Sequence, residues 1–368
     1  MRTDLLFDAR HVRASGIGIY SKEQIKLLGP WANKNGFKVV LLSIPDQLGD
    51  IPPNLDVYET TQKRAGMYSL AEQVGFTSVL KRLRPKAFWT PHYPYPVLSA
   101  GQSTFVTIHD VLHAKTAIQG GPGGLKQKYA MSMIRLALQR SRGVFVPSEA
   151  TRDEIFRHFG ESSNLHIAPM HIDRAWSQEI DDFDRPKKLP KNYILFVGNV
   201  KRHKNLVGLL NAFELIKERT NVDLVLAGGA ENVKNQDPMV FEHVKRLGSR
   251  VHLTGTLSFN SLRATVAGAK CLVMPSLYEG VGLPPLEAMA TGTPVVASDI
   301  PALRETCGDA AIFFASTDVV SMAEAILRTL DSTALRAELV QRGRRRLYER
   351  EQLIDPMRPL SIIAANSL

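Results

Sequence analysis

Residues 270–298 read KCLVMPSLYEGVGLPPLEAMATGTPVVAS. The stretch opens on a short apolar run, Cys271 to Met274, stopped by Pro275 and Ser276. Such a run reads as a strand buried on both faces of a parallel sheet. Pro294 to Ala297 reads the same way. Between them lie a glycine loop, EGVGLPP, and a helix-like segment, LEAMATG, which Gly292 can end because glycine accepts the left-handed cap position. Strand, loop, helix, strand make one βαβ unit, the building block of an α/β protein.

The loop has a chemical logic. Gly280 and Gly282 carry no side chain, so backbone N–H groups there can approach a ligand closely. Pro284 and Pro285 suit the first turn of a helix. The helix N-terminus brings unsatisfied N–H groups and partial positive charge to the same point, which suits a phosphate. Glu279 and Glu287 bracket the loop, with seven residues between them. A carboxylate repels phosphate but accepts hydrogen bonds from sugar hydroxyls. Phosphate donors between two such carboxylates fit a sugar nucleotide.

EGVGLPPLE, residues 279–287, resembles the donor-site motif of the retaining glycosyltransferases of family 4, which have the GT-B fold. The rest of the chain supplies context. At 368 residues it exceeds one ordinary core, so two domains are expected. Hydrophobic content of 44% and charged content of 22% describe a globular protein. No apolar stretch approaches a membrane span, and MRTDLLFDAR places charges where a signal peptide needs its apolar core. Cys271 and Cys307 form no metal or redox spacing, so a reduced, cytoplasmic setting is expected. A net charge of +10 favours an anionic partner. The basic residues are dispersed rather than clustered with aromatics, which argues against nucleic acid.

Further apolar runs at residues 4–8, Phe37–Leu42, Ala87–Trp89, Phe105–Ile108 and Gly143–Val146 alternate with helical patterns such as Tyr68–Leu83 and Leu125–Gln139. That alternation predicts a doubly wound parallel sheet. The pattern breaks at 174–191, RAWSQEIDDFDRPKKLPK, a polar segment that reads as a linker. It restarts with strands at Tyr193–Val197, Asp223–Ala227 and Val251–Thr254. The expected domains are 1–180 for the acceptor, 181–350 for the nucleotide sugar, and a helix over 351–368 that crosses back to the first domain, as the resemblance implies. Asp182-Phe183-Asp184 looks like a metal-binding DxD, but it lies in the linker, so no metal is expected.

Three further motifs extend the resemblance. GNVKRHKN, residues 198–205, is similar to the family's glycine-to-lysine loop. Lys204 then matches the lysine on the donor phosphate. Asn199 and His203 stand where relatives often carry arginine, so one cation of the usual pair is missing or is replaced, with Arg202 or Lys201 as candidates. A lysine at a helix start is disfavoured by the dipole, and an anionic ligand would explain it. His109, in THD, ends a predicted parallel strand, the ligand edge of such sheets. The resemblance places it near the donor sugar, with Asp110 either orienting it or capping the next segment. Gly16-Ile17-Gly18, followed by Tyr20, resembles the family's GIGRY loop. TPHYPYPVL, residues 90–98, is a rigid connector or an acceptor contact at the same edge.

The resemblance therefore implies GT-B architecture, two Rossmann-like doubly wound domains facing a cleft. It implies a retaining, metal-independent transfer of a hexose from a nucleoside diphosphate sugar to an acceptor hydroxyl. His109, Lys204 and Glu279 are the catalytic candidates. Gly16, Gly18, Asn199, Arg202, His203, Gly280, Val281, Gly282, Leu283 and Glu287 are the donor-binding candidates. The expected donor is a nucleotide sugar, GDP-mannose ahead of a UDP-sugar, because GIGIY and DAR resemble mannosyltransferases of surface-polysaccharide assembly. No other cofactor is expected. The expected acceptor is a carbohydrate or lipid-linked saccharide of polysaccharide or lipopolysaccharide assembly. A non-catalytic nucleotide-sugar or phosphate-binding protein on the same fold is the competing reading. Two features suit peripheral attachment to an anionic membrane at its inner face. One is the basic group Lys81, Arg82, Arg84 and Lys86. The other is Leu125–Arg142, where Leu125, Tyr129, Met133 and Leu136 run beside Lys126, Lys128, Arg135 and Arg140.

Overall fold

The computed structural model describes residues 3–368 apart from 15, 46, 50, 61–69, 98–101, 113–123, 182–183 and 230–236. Asp182 and Phe183 of the DFD segment thus lie outside the described residues, as do Tyr68 and Leu98. The chain divides into two compact units, Met1–His171 with Ile354–Leu368, and Ile172–Leu353.

The first unit is built on a seven-stranded parallel sheet of order β3-β2-β1-β4-β5-β6-β7. The strands are β1 Leu5–Asp8, β2 Val39–Ser43, β3 Asp56–Glu59, β4 Ala87–Thr90, β5 Ser103–Thr107, β6 Gly143–Val146 and β7 Leu165–Ile167. LLFD, VVLLS, AFWT and GVFV are buried at every residue, as strands covered on both faces should be. Helices α1 Gly16–Asn35, α2 Leu70–Leu83, α3 Leu125–Arg140 and α4 Glu149–Phe159 supply crossovers. Ser148 starts α4 by accepting from the Thr151 N–H, an N-cap that satisfies one orphan donor.

The apolar stripe of α3 turns mostly inward. Met133 is buried, and the Tyr129 hydroxyl accepts from Gln73 Nε2 at 3.1 Å. Leu125 alone of the four stays exposed. The Lys126 side chain lies outside the described residues. Lys86 is engaged by Asp4 at 2.8 Å, whereas Lys81, Arg82 and Arg84 are exposed.

The second unit repeats the plan with six parallel strands in the order β10-β9-β8-β11-β12-β13. These are β8 Tyr193–Val197, β9 Asp223–Ala227, β10 Val251–Gly255, β11 Leu272–Met274, β12 Val295–Ser298 and β13 Ala311–Phe314. Its helices are α5 Leu206–Ile216, α6 Pro238–Leu247, α7 Phe259–Ala267, α8 Leu283–Ala290, α9 Pro301–Cys307, α10 Val319–Asp331 and α11 Thr333–Leu353. Alternate residues of β8 feed opposite cores. Ile194 and Phe196 join Leu209, Phe213 and Ile326 on one face. Tyr193, Leu195 and Val197 join Met274, Met289 and Leu303 on the other. Each such large side chain contributes about 1.5–3 kcal/mol on full burial, so the sheet holds its loops on a stiff base.

The division falls at His171/Ile172, ahead of the expected 180/181. The reason is Trp176, buried on the second core and edge-on to Phe259 at 5.5 Å. Arg263 reinforces this by donating to the Gln178 carbonyl at 2.6 Å. At the other end, helix α12 Arg358–Ser367 belongs to the first unit, where Leu360 and Ile363 are fully buried.

In both sheets the order reverses beside the first strand, between β1 and β4 and between β8 and β11. At such a switch point two loops diverge to opposite faces and leave a crevice at the carboxyl ends of the strands.

Candidate active site

The loops leaving β8 and β11 are GNVKRHKN and PSLYEGVG, the two motifs that the sequence singles out. Parallel order brings them together although they are some 75 residues apart. The first loop makes a 3-10 turn at Arg202–Lys204 and then Asn205 turns left-handed, φ 53°, to start α5. Asparagine tolerates this conformation better than most residues, and its Nδ2 donates to the Ser316 carbonyl at 3.1 Å. The Leu277 N–H donates to the His203 carbonyl at 2.8 Å, pinning the second loop to the first.

Lys204 Nζ consequently reaches Glu279 Oε1 at 2.7 Å. Ser276, fully buried three residues earlier, donates to the same oxygen at 2.6 Å. The pair is shielded without being sealed, at 17% and 11% exposed. Arg202 is exposed and makes no ion pair among the described residues, so it remains a cation available to a ligand. Asn199 and His203 are half-buried on the same loop.

Gly282 stands at the N-cap of α8 with φ +89°, and no side chain caps the helix. Side chains rarely adopt that backbone conformation, so it demands glycine, whereas the nearest atom to an added Cβ is the movable end of Leu303, Cδ2 at 2.5 Å. Pro284 and Pro285 have no N–H, which leaves Leu283 as the one N–H donor of the first three helical residues. Val281 is held by Thr306, whose hydroxyl donates to its carbonyl at 2.5 Å. Glu287, in the second turn, is buried, and its carboxylate takes no hydrogen bond from the described residues. Burial pushes its carboxyl up to about 7.

In the first unit, His109 follows β5. Its Nε2 lies 2.8 Å from the Pro91 carbonyl, and Tyr20 packs edge-on against the ring at 4.8 Å. Burial pulls the imidazole down to about 4, so it is neutral at pH 7. A carbonyl only accepts, so Nε2 carries the proton and Nδ1 is left as an acceptor. Asp110 caps the next segment, accepting from the Leu112 N–H at 3.0 Å. Gly16 and Gly18 lie in the first turn of α1 rather than in a loop. A Cβ on Gly18 would meet the Val12 carbonyl oxygen at 2.5 Å, so this glycine serves close packing, while Gly16 faces open space.

Sequence reading missed Ser276, Asn205 and Tyr20. Ser276 precedes Glu279 by three residues and could have been weighed as its partner. Tyr20 sits within the quoted GIGIY, but its packing on His109 is a tertiary contact.

Residues 177–346 match the family model described as Glycosyl transferases group 1. Among curated proteins, the chain is similar to the O-antigen chain mannosyltransferase RfbU of Salmonella typhimurium. The two are 28% identical over 243 residues, 66% of this chain and 64% of that protein. It is also similar to the MMP alpha-(1->4)-mannosyltransferase of Mycolicibacterium hassiacum, 31% identical over 206 residues, 55% of this chain and 48% of that one. The chain thus matches less than two thirds of the length of these relatives. Among solved structures, sucrose-phosphate synthase from Thermosynechococcus elongatus has a TM-score of 0.77 at 20% identity, covering 99% of this chain and 97% of its own. WaaG, a glycosyltransferase involved in lipopolysaccharide biosynthesis, has a TM-score of 0.72 at 17% identity, covering 93% and 94%. The second unit of this chain is a Glycosyl transferases group 1 domain, and the chain has the GT-B fold of two Rossmann-like units.

Proposed function

We propose that this chain is a retaining glycosyltransferase that moves a hexose from a nucleoside diphosphate donor to a hydroxyl of a saccharide or lipid-linked saccharide. The donor we assign is GDP-mannose, and the setting is polysaccharide or lipopolysaccharide assembly. The observation that carries the reading is the Lys204–Glu279 pair at the β8/β11 switch point, beside an uncapped helix start. The mannose assignment is supported by the names of the relatives and rests on them.

The difficult step is breaking the bond between the anomeric carbon and the diphosphate oxygen. Lys204 and Arg202 neutralise the charge that develops on the departing diphosphate, and the N–H groups of Gly282 and Leu283 do so without a metal. Glu279, locked by Lys204 and Ser276, accepts from sugar hydroxyls. Glu287 accepts from the ribose. His109, neutral, offers Nδ1 as an acceptor to the sugar. Retention follows if the acceptor oxygen attacks on the face that the diphosphate leaves, with a diphosphate oxygen taking the acceptor proton. GDP should raise the melting temperature more than UDP at equal concentration, since bound ligand stabilises by mass action. Equal shifts, or a larger one with UDP, would remove the GDP assignment.

We place the acceptor at the anionic inner face of a membrane. No described helix is long and apolar enough to cross one. The exposed Lys81, Arg82 and Arg84 support peripheral contact, each worth about 1 kcal/mol near an anionic bilayer. Salt-sensitive co-sedimentation with anionic but not neutral vesicles is expected. Absence of binding to anionic vesicles at low salt would contradict it.

A further inference from the structure

The switch point of the first sheet carries a dry polar cluster that the proposed transfer does not use. Asp8 ends β1, and Arg10 clasps it with Nε and Nη2, both at 2.8 Å. Arg10 Nη2 also lies 3.4 Å from Glu72 Oε1, near the start of α2. Two imidazoles converge on that same oxygen. His92 Nε2, from the loop after β4, is 3.1 Å away, and His11 Nε2, from the loop after β1, is 3.6 Å away. Asp8, Glu72 and His92 are at most 1% exposed, and Arg10 is 6% exposed. Two carboxylates stand against one guanidinium, which leaves one negative charge for the rest of the cluster to meet. A charge in such a place is costly unless a cation accompanies it.

Three observations point to the kind of cation. His11 Nε2 is shielded from solvent and has no hydrogen-bond partner among the described residues. One ligand atom each from His11, Glu72 and His92 lies within 4.8 Å of the other two. Four-coordinate zinc with bonds of about 2.0–2.2 Å places neighbouring ligand atoms roughly 3.3–3.6 Å apart, and the separations to Glu72 Oε1 are 3.1 and 3.6 Å. Finally, His92 Nδ1 lies 3.0 Å from the Thr90 hydroxyl. A proton on Nδ1 shared with that oxygen frees the Nε2 lone pair, as second-shell partners of metal-bound histidines do.

We propose that His11, Glu72 and His92 form a site for a divalent transition metal of zinc type, with a fourth position open to water or a ligand. Two imidazoles and one carboxylate suit zinc, cobalt or nickel rather than magnesium or calcium. The metal ties the loop after β1, the start of α2 and the loop after β4 to one point. Pro91, next to His92, is the residue whose carbonyl holds His109, so the site also positions that histidine. Its ligands are scattered along the chain, and no spacing in the sequence announces them.

The test uses the full chain, stripped with chelator, dialysed and titrated with Zn²⁺ by calorimetry and with Co²⁺ by visible absorption. One equivalent is expected to bind at micromolar affinity or tighter, to raise the melting temperature, and to give the intense bands of four-coordinate Co²⁺. His11 lies on a loop, so His11→Gln is the least disruptive ligand change. It should weaken binding at least about tenfold with the circular dichroism unchanged. No saturable binding overturns the site, and so does unchanged affinity and stoichiometry in His11→Gln. Should that variant fail to fold, the wild-type Co²⁺ spectrum decides, because weak six-coordinate bands contradict the ligand set. All these readouts are independent of sugar transfer, so failure here leaves the transfer reading intact.

Discussion

The Lys204 ammonium lies 2.7 Å from Glu279 Oε1, so the residue assigned to the leaving phosphate and the residue assigned to the sugar hold each other. Ser276 donates to the same oxygen and removes the remaining freedom of that carboxylate. A charge pair this shielded couples more strongly than an exposed one, and removing one partner strands the other.

That coupling is measurable by calorimetry of GDP binding to Lys204→Met, Glu279→Gln and the double variant. The two single effects should fail to add by about 1–3 kcal/mol. Additivity to within about 0.5 kcal/mol would mean that the pair acts as two independent residues.

Ser276→Ala removes a hydrogen bond to Glu279 and leaves the rest of the loop in place. One such bond to a charged group is worth about 1.5–3 kcal/mol. The turnover number should therefore fall roughly tenfold or more, while GDP affinity falls by less, since Ser276 reaches the phosphate cation only through the Glu279 oxygen that they share. A loss confined to GDP affinity would reassign Glu279 to the nucleotide.

Glu287 gives a pH dependence with a definite sign. Its folded carboxyl is raised from 4.5 to about 7 by burial, so between those values the folded chain holds a proton that the unfolded chain has released. This contribution to stability is complete below pH 4.5 and is lost as pH rises through 7. Glu287→Gln cannot ionise, so it should gain stability over the wild type above pH 7, by up to about 3 kcal/mol, and should bind GDP more weakly. Parallel stability profiles for the two proteins across pH 5–8 would show that the carboxyl is ordinary.

The interior of the fold was legible because its strands are continuous apolar runs. The strands that went unread are β3, β7 and β13, and all three are edges. DVYE of β3 is largely exposed and LHI of β7 half-buried, so neither carries the apolar signature of a covered strand. Trp176 inside a polar stretch similarly hid where the second unit begins, because one buried indole outweighs many solvated neighbours. At the site, residue types and spacing pointed to Lys204 and Glu279, but their contact depends on parallel strand order. The His11, Glu72 and His92 group was invisible for the same reason, since topology alone assembles it.

The most direct test of the account is the rate of mannose transfer from GDP-mannose by Lys204→Ala, with Lys204→Arg as the charge-conserving control. Loss of one electrostatic donor to the leaving group should slow transfer on the order of 100-fold, with partial recovery in the arginine variant. Transfer by Lys204→Ala at near wild-type rate would contradict the assignment of this loop to the departing diphosphate.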